Sequence, residues 1–320
     1  MKKIRNKHFI LEETTEPGIK QRLKGCLLVL TSIVYKFMML PIRVKVRDKK
    51  YNVSICGIFK NEAPYLREWI EYHRIVGIEH FYLYNNNSED DYLAVLAPYI
   101  EEGLVTLIQW PEKQSQIKCY LDCISKYSKD TKWLGFIDID EFVVPKATNS
   151  VYDFLKNFER SRGAVKIYWR MYGTSGMKDR DLSSLVTESF TVCWPKYYSV
   201  GKCFYNTSFE YDYDTERNGI MNHLLWTKYR GMSMPPVNAF DNVCLNHRDK
   251  VGSDDHPIQI NHYFTKSYGE YKVKMAKGDA FFEVNPHDEE YFYLHEMECE
   301  SVDYSAYKYL IKLKAAVGEK

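Results

Sequence analysis

The residues Asp138-Ile139-Asp140-Glu141 put three carboxylates into four positions, at the end of the apolar run WLGFI over 133–137. Two aspartates one residue apart point to the same face where the backbone stays extended. Side by side they repel each other unless a cation or a proton lies between them. A divalent ion, Mg2+ or Mn2+, answers this economically. It takes hard oxygen ligands, keeps coordination positions open and neutralises charge on a bound diphosphate. The competing reading is a solvated strand end followed by a turn, since Asp-x-Asp arises often by chance. Its place at the end of a buried-type strand favours the metal reading.

The elements that must position this cluster are legible as a repeating pattern. Residues 51–59 (YNVSICGIF) are apolar and β-branched and read as a strand, broken by Lys60-Asn61-Glu62-Ala63-Pro64. Pro64 starts a helix with Leu66, Trp69, Ile70 and His73 on one face, ending near Gly77. Residues 78–84 form a second strand, closed by the polar run 85–90; residues 92–99 a helix; 105–110 a third strand; 114–127 a helix; and 133–139 the strand that carries the acids. Strand–helix alternation with short connections predicts an α/β, doubly wound, mostly parallel sheet. In such sheets the ligand lies beyond the carboxyl ends of the strands. Asn61-Glu62, Asn85-Asn86-Asn87 and Asp138-Asp140 therefore open on one edge. No Gly-x-Gly-x-x-Gly or P-loop follows the first strand, which disfavours a dinucleotide dehydrogenase or an NTPase.

The strings KNEAPYLREWIEYHRIVGIEHFYLYNNNS, SQIKCYLDC, WLGFIDIDEFVVP and INHYFTKS, in that order over about residues 53–279, resemble glycosyltransferase family 92. The resemblance implies a GT-A fold, an inverting mechanism, a divalent metal (usually Mn2+) and a UDP-sugar donor, often UDP-galactose. Residue by residue it implies that Asn61 and Glu62 line the nucleotide pocket. Asn85 stands where related transferases often carry an Asp that holds the uracil or ribose; the amide is a departure that leaves the donor base open. Gln116 opens the helix passing the donor site, Asp138 approaches the ribose or metal, and Asp140 binds the metal directly. Lys202, in Gly201-Lys202-Cys203, is either a diphosphate partner or a surface lysine.

The second half is less regular. Residues 151–158 read as a short helix and 164–169 as a strand, while 171–222 is loop-rich and is where an acceptor site would be shaped. In Ile260-Asn261-His262-Tyr263-Phe264 the histidine is either a satisfied core residue or a third metal or diphosphate contact, with His223 the second choice. Inverting transfer needs a base for the acceptor hydroxyl. Asp255 is the first candidate and Asp241 the second, Asp254 being a further one. Residues 265–278 read as an amphipathic helix with lysines on one side, capping the donor site or meeting lipid.

Composition sets the frame. The chain has 320 residues, 45% hydrophobic and 27% charged, which describes a globular protein with room for a sizeable core. Its net charge of +1 hides an asymmetry: residues 1–50 hold thirteen Lys/Arg against four Asp/Glu, a surplus of +9, so the rest carries −8. An acidic body argues against nucleic acid as a partner, and a basic arm suits anionic lipid. Residues 26–42 form a 17-residue apolar stretch interrupted by Thr31, Ser32 and Lys36 and flanked by basic residues. A spanning helix needs about 20 apolar residues. An interfacial helix at the inner face of the cell membrane, with snorkelling lysines, is the expectation for residues 20–47. A core helix and a single-pass membrane span are the alternatives. The eight cysteines form no Cys-x-x-Cys pair and read as reduced thiols in a cytoplasmic protein. The organisation expected is an arm over 1–50, a catalytic domain over 51–285 and a helical tail over 286–320.

Two other function classes compete. One is a different nucleotide-sugar enzyme, such as a nucleotidyltransferase, against which the missing Gly-rich phosphate loop counts. The other is a non-enzymatic glycan-binding protein, which the 27 tyrosines permit.

Overall fold

A computed structural model describes residues 19–214, 223–246, 251–278 and 287–318. The first 18 residues of the basic arm, residues 215–222 of the loop-rich region, and His247 lie outside the described residues. The elements run in the order α1 (Ile19–Met39), β1 (Tyr51–Phe59), α2 (Ala63–Ile75), β2 (His80–Asn85), α3 (Tyr92–Glu101), β3 (Val105–Gln109), α4 (Gln116–Tyr127), β4 (Thr131–Phe136), β5 (Glu141–Pro145) and α5 (Val151–Leu155). They continue with β6 (Ala164–Met171), α6 (Val186–Ser189), β7 (Val192–Cys193), β8 (Tyr198–Asn206), β9 (Glu210–Tyr211), β10 (Thr227–Tyr229), β11 (Met232–Met234), β12 (Val237–Asn238) and β13 (Ile258–His262). Helices α7 (Tyr268–Lys277) and α8 (Glu289–Met297), strand β14 (Ser301–Val302) and helix α9 (Leu310–Val317) close the chain.

The central sheet has the order β3-β2-β1-β4-β8-β6-β13-β5, with β12 added against β6. Strands β3, β2, β1 and β4 are mutually parallel, as the βα alternation demands. The sheet changes character at β8, which is antiparallel to both β4 and β6. Two reversals restore the direction, so β6 and β13 run with β4 and end on the same edge. β13 also pairs antiparallel with β5, which returns directly from the acidic cluster. His262 and Glu141 are partners in that ladder. Two segments 120 residues apart in sequence are thus brought to one spot by backbone hydrogen bonds.

The core lies on both faces of the sheet. Trp69, Ile70, Tyr72, Phe81, Trp133 and Phe142 are fully or almost fully buried in the largest cluster. On the other face Cys56, Cys119, Cys123, Tyr84, Tyr120 and Phe136 pack together. All eight cysteines are free. The C-terminal segment does not stand apart: Ala306, Tyr309 and Leu313 belong to the main core.

α1 is largely exposed, with Leu23, Leu27, Leu30, Val34 and Phe37 facing out. It joins the body through its C-terminal half: Tyr35 packs edge-on against Trp226, Met39 and the following Ile42 are buried, and the Arg162 guanidinium donates to the Met39 carbonyl. No helix among the described residues is long and apolar enough to cross a membrane.

Candidate functional site

Strand β4 stops at Phe136, so the acids occupy a turn rather than a continued strand. That turn is built by its neighbours. The Trp69 indole N–H, from α2, donates to the carbonyls of both Asp138 (3.0 Å) and Glu141 (2.9 Å). Glu141 turns its carboxylate back to accept from the Asp138 N–H at 3.0 Å. Beyond it, the Tyr263 N–H donates to the Asp140 carbonyl at 2.9 Å and ties the turn to the end of β13.

Asp138 is held through both carboxylate oxygens. Oδ1 accepts from Gln116 Nε2 (3.0 Å) and from the Tyr120 hydroxyl (3.1 Å), both on α4, and Oδ2 accepts from Lys202 Nζ (2.7 Å) on β8. About a third of the side chain stays exposed. The Lys202 side chain is completely buried, with Glu141 3.7 Å away as a second counter-charge. Burial works against the Lys202 ammonium, but Asp138 and Glu141 outweigh it and keep its pKa above the ordinary value. Glu141 goes the other way: burial pushes its pKa well up, Lys202 opposes this, and Asp138 and Asp140 add to the rise.

Asp140 has a different set of partners. His262 Nε2 lies 3.6 Å from its Oδ1, and Lys274 Nζ, from α7, lies 2.5 Å from its Oδ2. Burial alone would raise this carboxyl. Lys274, His262 and Lys266 overcome that and hold it well below the usual range. Burial lowers the His262 pKa, with Asp140 pulling in the opposite direction. Neutral imidazole is the form that binds a metal. The His262 ring packs on Trp169, 4.5 Å between centroids, and its Nδ1 is buried without a hydrogen-bond partner. Asp140 and His262 thus set a carboxylate oxygen and an imidazole nitrogen 3.6 Å apart, with Asp138 on the same turn, ligand types that Mn2+ and Mg2+ accept.

The remaining residues singled out in the sequence fall in different places. Asn61 has a left-handed backbone (φ 51°); its N–H donates to Ser88 Oγ, and its Oδ1 accepts from the Glu89 N–H. It braces the loop after β1 against the loop after β2. Glu62 pairs with Lys277 of α7 and forms the rim beside Asp140. Asn85 is buried: its Nδ2 donates to the Tyr92 hydroxyl and to Gln109, and its Oδ1 accepts from the Ser88 N–H. That closes the amide off from the cluster and gives it a loop-fixing place. His223 sits edge-on to Trp169 at 5.2 Å, and its ring bonds the Gly201 carbonyl next to Lys202.

The two carboxylates put forward as bases lie elsewhere. Asp255 precedes β13, whose other end carries His262, so the strand separates it from the cluster. It is 89% exposed and paired with Lys146 at 2.8 Å. Asp241 makes a two-pronged pair with Arg162 (2.5 and 2.7 Å), just before the start of β6. Both belong to the edge opposite the acidic turn. Position in the sequence near the Asn261-His262 motif did not translate into proximity, because a strand carries its two ends to opposite edges of the sheet.

Trp69, Tyr120, Lys266 and Lys274 complete the site without having been singled out. The one sequence signal for the lysines was their one-sided spacing in residues 265–278. Helix α7 lies over the acids as that spacing allowed, with a capping box at Ser267 and Glu270, and Glu270 paired to Arg180.

The profile of Glycosyltransferase family 92 matches residues 49–276. A glycosyltransferase family 92 protein of Oryza sativa subsp. japonica is 33% identical over 133 residues, which is 41% of this chain and 23% of that protein. A galactan beta-1,4-galactosyltransferase of Arabidopsis thaliana is 33% identical over 130 residues, 36% of this chain and 26% of its own. A beta-1,4-galactosyltransferase of Caenorhabditis elegans is 30% identical over 165 residues, 45% of this chain and 39% of its own. These alignments span between 23% and 39% of those relatives' length. Among solved structures, GalNAc-T7 with UDP, GalNAc and Mn2+ gives a TM-score of 0.37 at 13% identity, covering 95% of this chain and 64% of that one. S. aureus TarS 1-349 in complex with UDP-GlcNAc gives 0.35 at 13%, covering 49% and 46%. The central sheet is mixed and mostly parallel, and with residues 49–276 of its 320 inside the family profile the chain belongs to glycosyltransferase family 92.

Proposed function

We propose that the protein moves a hexose, galactose in the first instance, from a UDP-sugar to a glycan or lipid-linked glycan acceptor, with inversion and with the help of a divalent metal, Mn2+ or Mg2+. The observation that carries this reading is the acidic turn at the end of β4, where Asp140 stands 3.6 Å from His262 of β13 and Asp138 lies on the same turn. These three residues would hold the metal. When bound, it supplies charge neutralisation for the departing diphosphate.

The chain's own residues do the positioning. Gln116, Tyr120 and Lys202 fix the Asp138 carboxylate. Trp69 holds the turn, and His262 offers Nε2 toward Asp140. The loops with Asn61, Glu62 and Asn85 form the adjoining wall for the nucleotide, Asn85 acting through the loop it fixes. Hexose transfer is supported by family membership, and galactose by the two galactosyltransferases to which parts of the chain are similar. Asp241 and Asp255 are not carried forward as bases, since neither stands at this edge. The basic, apolar arm supports a peripheral place on the inner membrane face, where a lipid-linked acceptor for polysaccharide assembly would be met.

Release of UDP from UDP-galactose, followed with and without Mn2+, tests the reading. Metal-stimulated release that Asp140→Ala abolishes is the expected outcome. Undiminished release by that variant, or release of pyrophosphate instead of UDP, would sink it, the latter in favour of nucleotidyl transfer.

A further inference from the structure

The sequence drew attention to Lys202 as a diphosphate partner, but the fold closes that lysine off beneath Asp138 and Glu141, with no exposed side-chain surface. Two other lysines lie within electrostatic reach of Asp140 on different terms. Lys274 is ion-paired to Asp140 and also donates to the Phe264 carbonyl at 3.2 Å. A third of its side chain is exposed, so it can leave. Lys266 is buried at 6% exposure, on a left-handed backbone with φ 49°. Its ammonium lies 4.2 Å from the centre of the Tyr65 ring. No described carboxylate forms an ion pair with it; Glu62 and Asp140 attract it from further off, and burial keeps its pKa below the ordinary value.

A buried ammonium without a counter-anion is a costly arrangement, and so is a non-glycine residue in the left-handed region. This fold pays both at one residue, four positions after His262. The surroundings are fixed rather than adaptable. The Tyr65 hydroxyl donates to Glu270, and Glu270 is held by Arg180 and by the Ser267 cap. The ammonium is therefore kept over the Tyr65 ring, within electrostatic reach of Glu62 and Asp140, with a free demand for negative charge. A neutral sugar or a base edge does not meet that demand, whereas a phosphate does, and lysine serves phosphate as a point charge.

We propose that Lys266 and Lys274 are the diphosphate-binding cations of this transferase. Lys266 supplies a standing positive charge. Lys274 exchanges Asp140 for a phosphate oxygen when a divalent ion takes up that carboxylate. The exchange leaves every charge paired: the ion replaces the ammonium at Asp140, and the freed ammonium meets the diphosphate that arrives with the ion. The assignment rests on the nucleotide-sugar reading above, and its test separates the two.

Calorimetric binding of UDP, uridine and inorganic pyrophosphate to the full chain, each with Mn2+, is measured for wild type, Lys266→Met, Lys266→Arg and Lys274→Met. Lys266→Met should weaken UDP and pyrophosphate about tenfold to a hundredfold, the range for losing a charge-assisted contact. It should leave uridine unchanged. Its melting temperature should equal or exceed that of wild type, because an unpaired buried charge has been removed. Lys266→Arg should keep UDP binding within a few-fold. Lys274→Met should weaken UDP and, without nucleotide, tighten Mn2+, since the competitor for Asp140 is gone. The proposal is overturned if Lys266→Met binds UDP like wild type, loses uridine as much as UDP, or melts lower. It is overturned for Lys274 if Mn2+ binds no tighter. Wild-type binding of UDP that ignores Lys266 would leave the transferase reading standing without this assignment. Lys266-dependent pyrophosphate binding without UDP binding would do the reverse, and binding of neither would remove both.

Discussion

Asp138 and Asp140 sit two residues apart yet do different work, because different elements answer them. Asp138 is fixed by neutral donors on α4 and one buried lysine on β8, so its carboxylate is oriented before any ligand arrives. Asp140 faces the buried ring of His262 and one partly exposed partner, Lys274. Asp140→Asn should therefore cost the larger share of metal-stimulated turnover, on the order of a hundredfold or more, while leaving the melting temperature within a few degrees. Removing an orienting donor should act on the ion alone: Gln116→Ala should weaken Mn2+ about tenfold, read by metal titration of turnover. His73 makes a residue-scale prediction about pH. It is fully buried, its Nδ1 donates to the Trp69 carbonyl, and its Nε2 accepts from the Val143 N–H. Burial lowers its pKa from 6.5 to about 3, against the Trp69 hydrogen bond. A depressed histidine gives stability that is complete above pH 6.5 and drains away as the pH falls toward 3. Between pH 6.5 and 4 that loss is about 3 kcal/mol. Urea unfolding at both pH values should show it in wild type, and His73→Gln, less stable at pH 7, should lose correspondingly less on acidification.

At the scale of elements, the site depends on three strands ending together and on one helix supporting them from below. Trp69 of α2 is the support, with one indole N–H shared between two carbonyls of the acidic turn. Trp69→Phe keeps the ring in the core but leaves both carbonyls short of a donor, which should cost about 1–3 kcal/mol and lower Mn2+ affinity as the turn loosens. A tryptophan that served only as core volume would show no change in metal binding. Strand β8 makes a similar demand. A Cβ on Gly201 would run into the Ile167 carbonyl of β6. Gly201→Ala must part those two strands next to Lys202, so a destabilisation of about 2 kcal/mol or more should be accompanied by loss of activity, measured by thermal melting and by UDP release.

The whole molecule presents two edges of different character. The acids open on the carboxyl edge, while α1 joins the body at the other, through Met39, Arg162 and the Val44 N–H on the Arg160 carbonyl. The outer surface of α1 carries Leu23, Leu27, Leu30, Val34 and Phe37 at spacings of three and four, a stripe that suits a membrane interface. The full chain should sediment with anionic vesicles, less so at high salt, and Leu27→Asp with Leu30→Asp and Phe37→Asp should release it while leaving UDP release in solution unchanged. At the other terminus, Leu313 of α9 is fully buried in the main core. Leu313→Ala should cost about 2–5 kcal/mol in a single unfolding transition, because the C-terminal helix shares the core of the sheet and does not fold as an appendage.

The sequence by itself determined the parallel half of the sheet and the place of the acidic turn at its carboxyl edge. Strand and helix periodicities are local, so β1, α2, β2, α3, β3, α4 and β4 could be read from the spacing of apolar residues, and the direction of their carboxyl ends followed from the alternation. The position of Asp138 and Asp140 was legible for the same reason, since it follows from the strand just before them. Tertiary structure alone decided which distant residues answer them. Lys202 turned inward because β8 runs antiparallel between β4 and β6, and Asp241 and Asp255 were carried to the far edge because strands β6 and β13 start there. His262, Lys266 and Lys274 reached Asp140 through the pairing of β13 with β5, a ladder between segments 120 residues apart that no local pattern encodes.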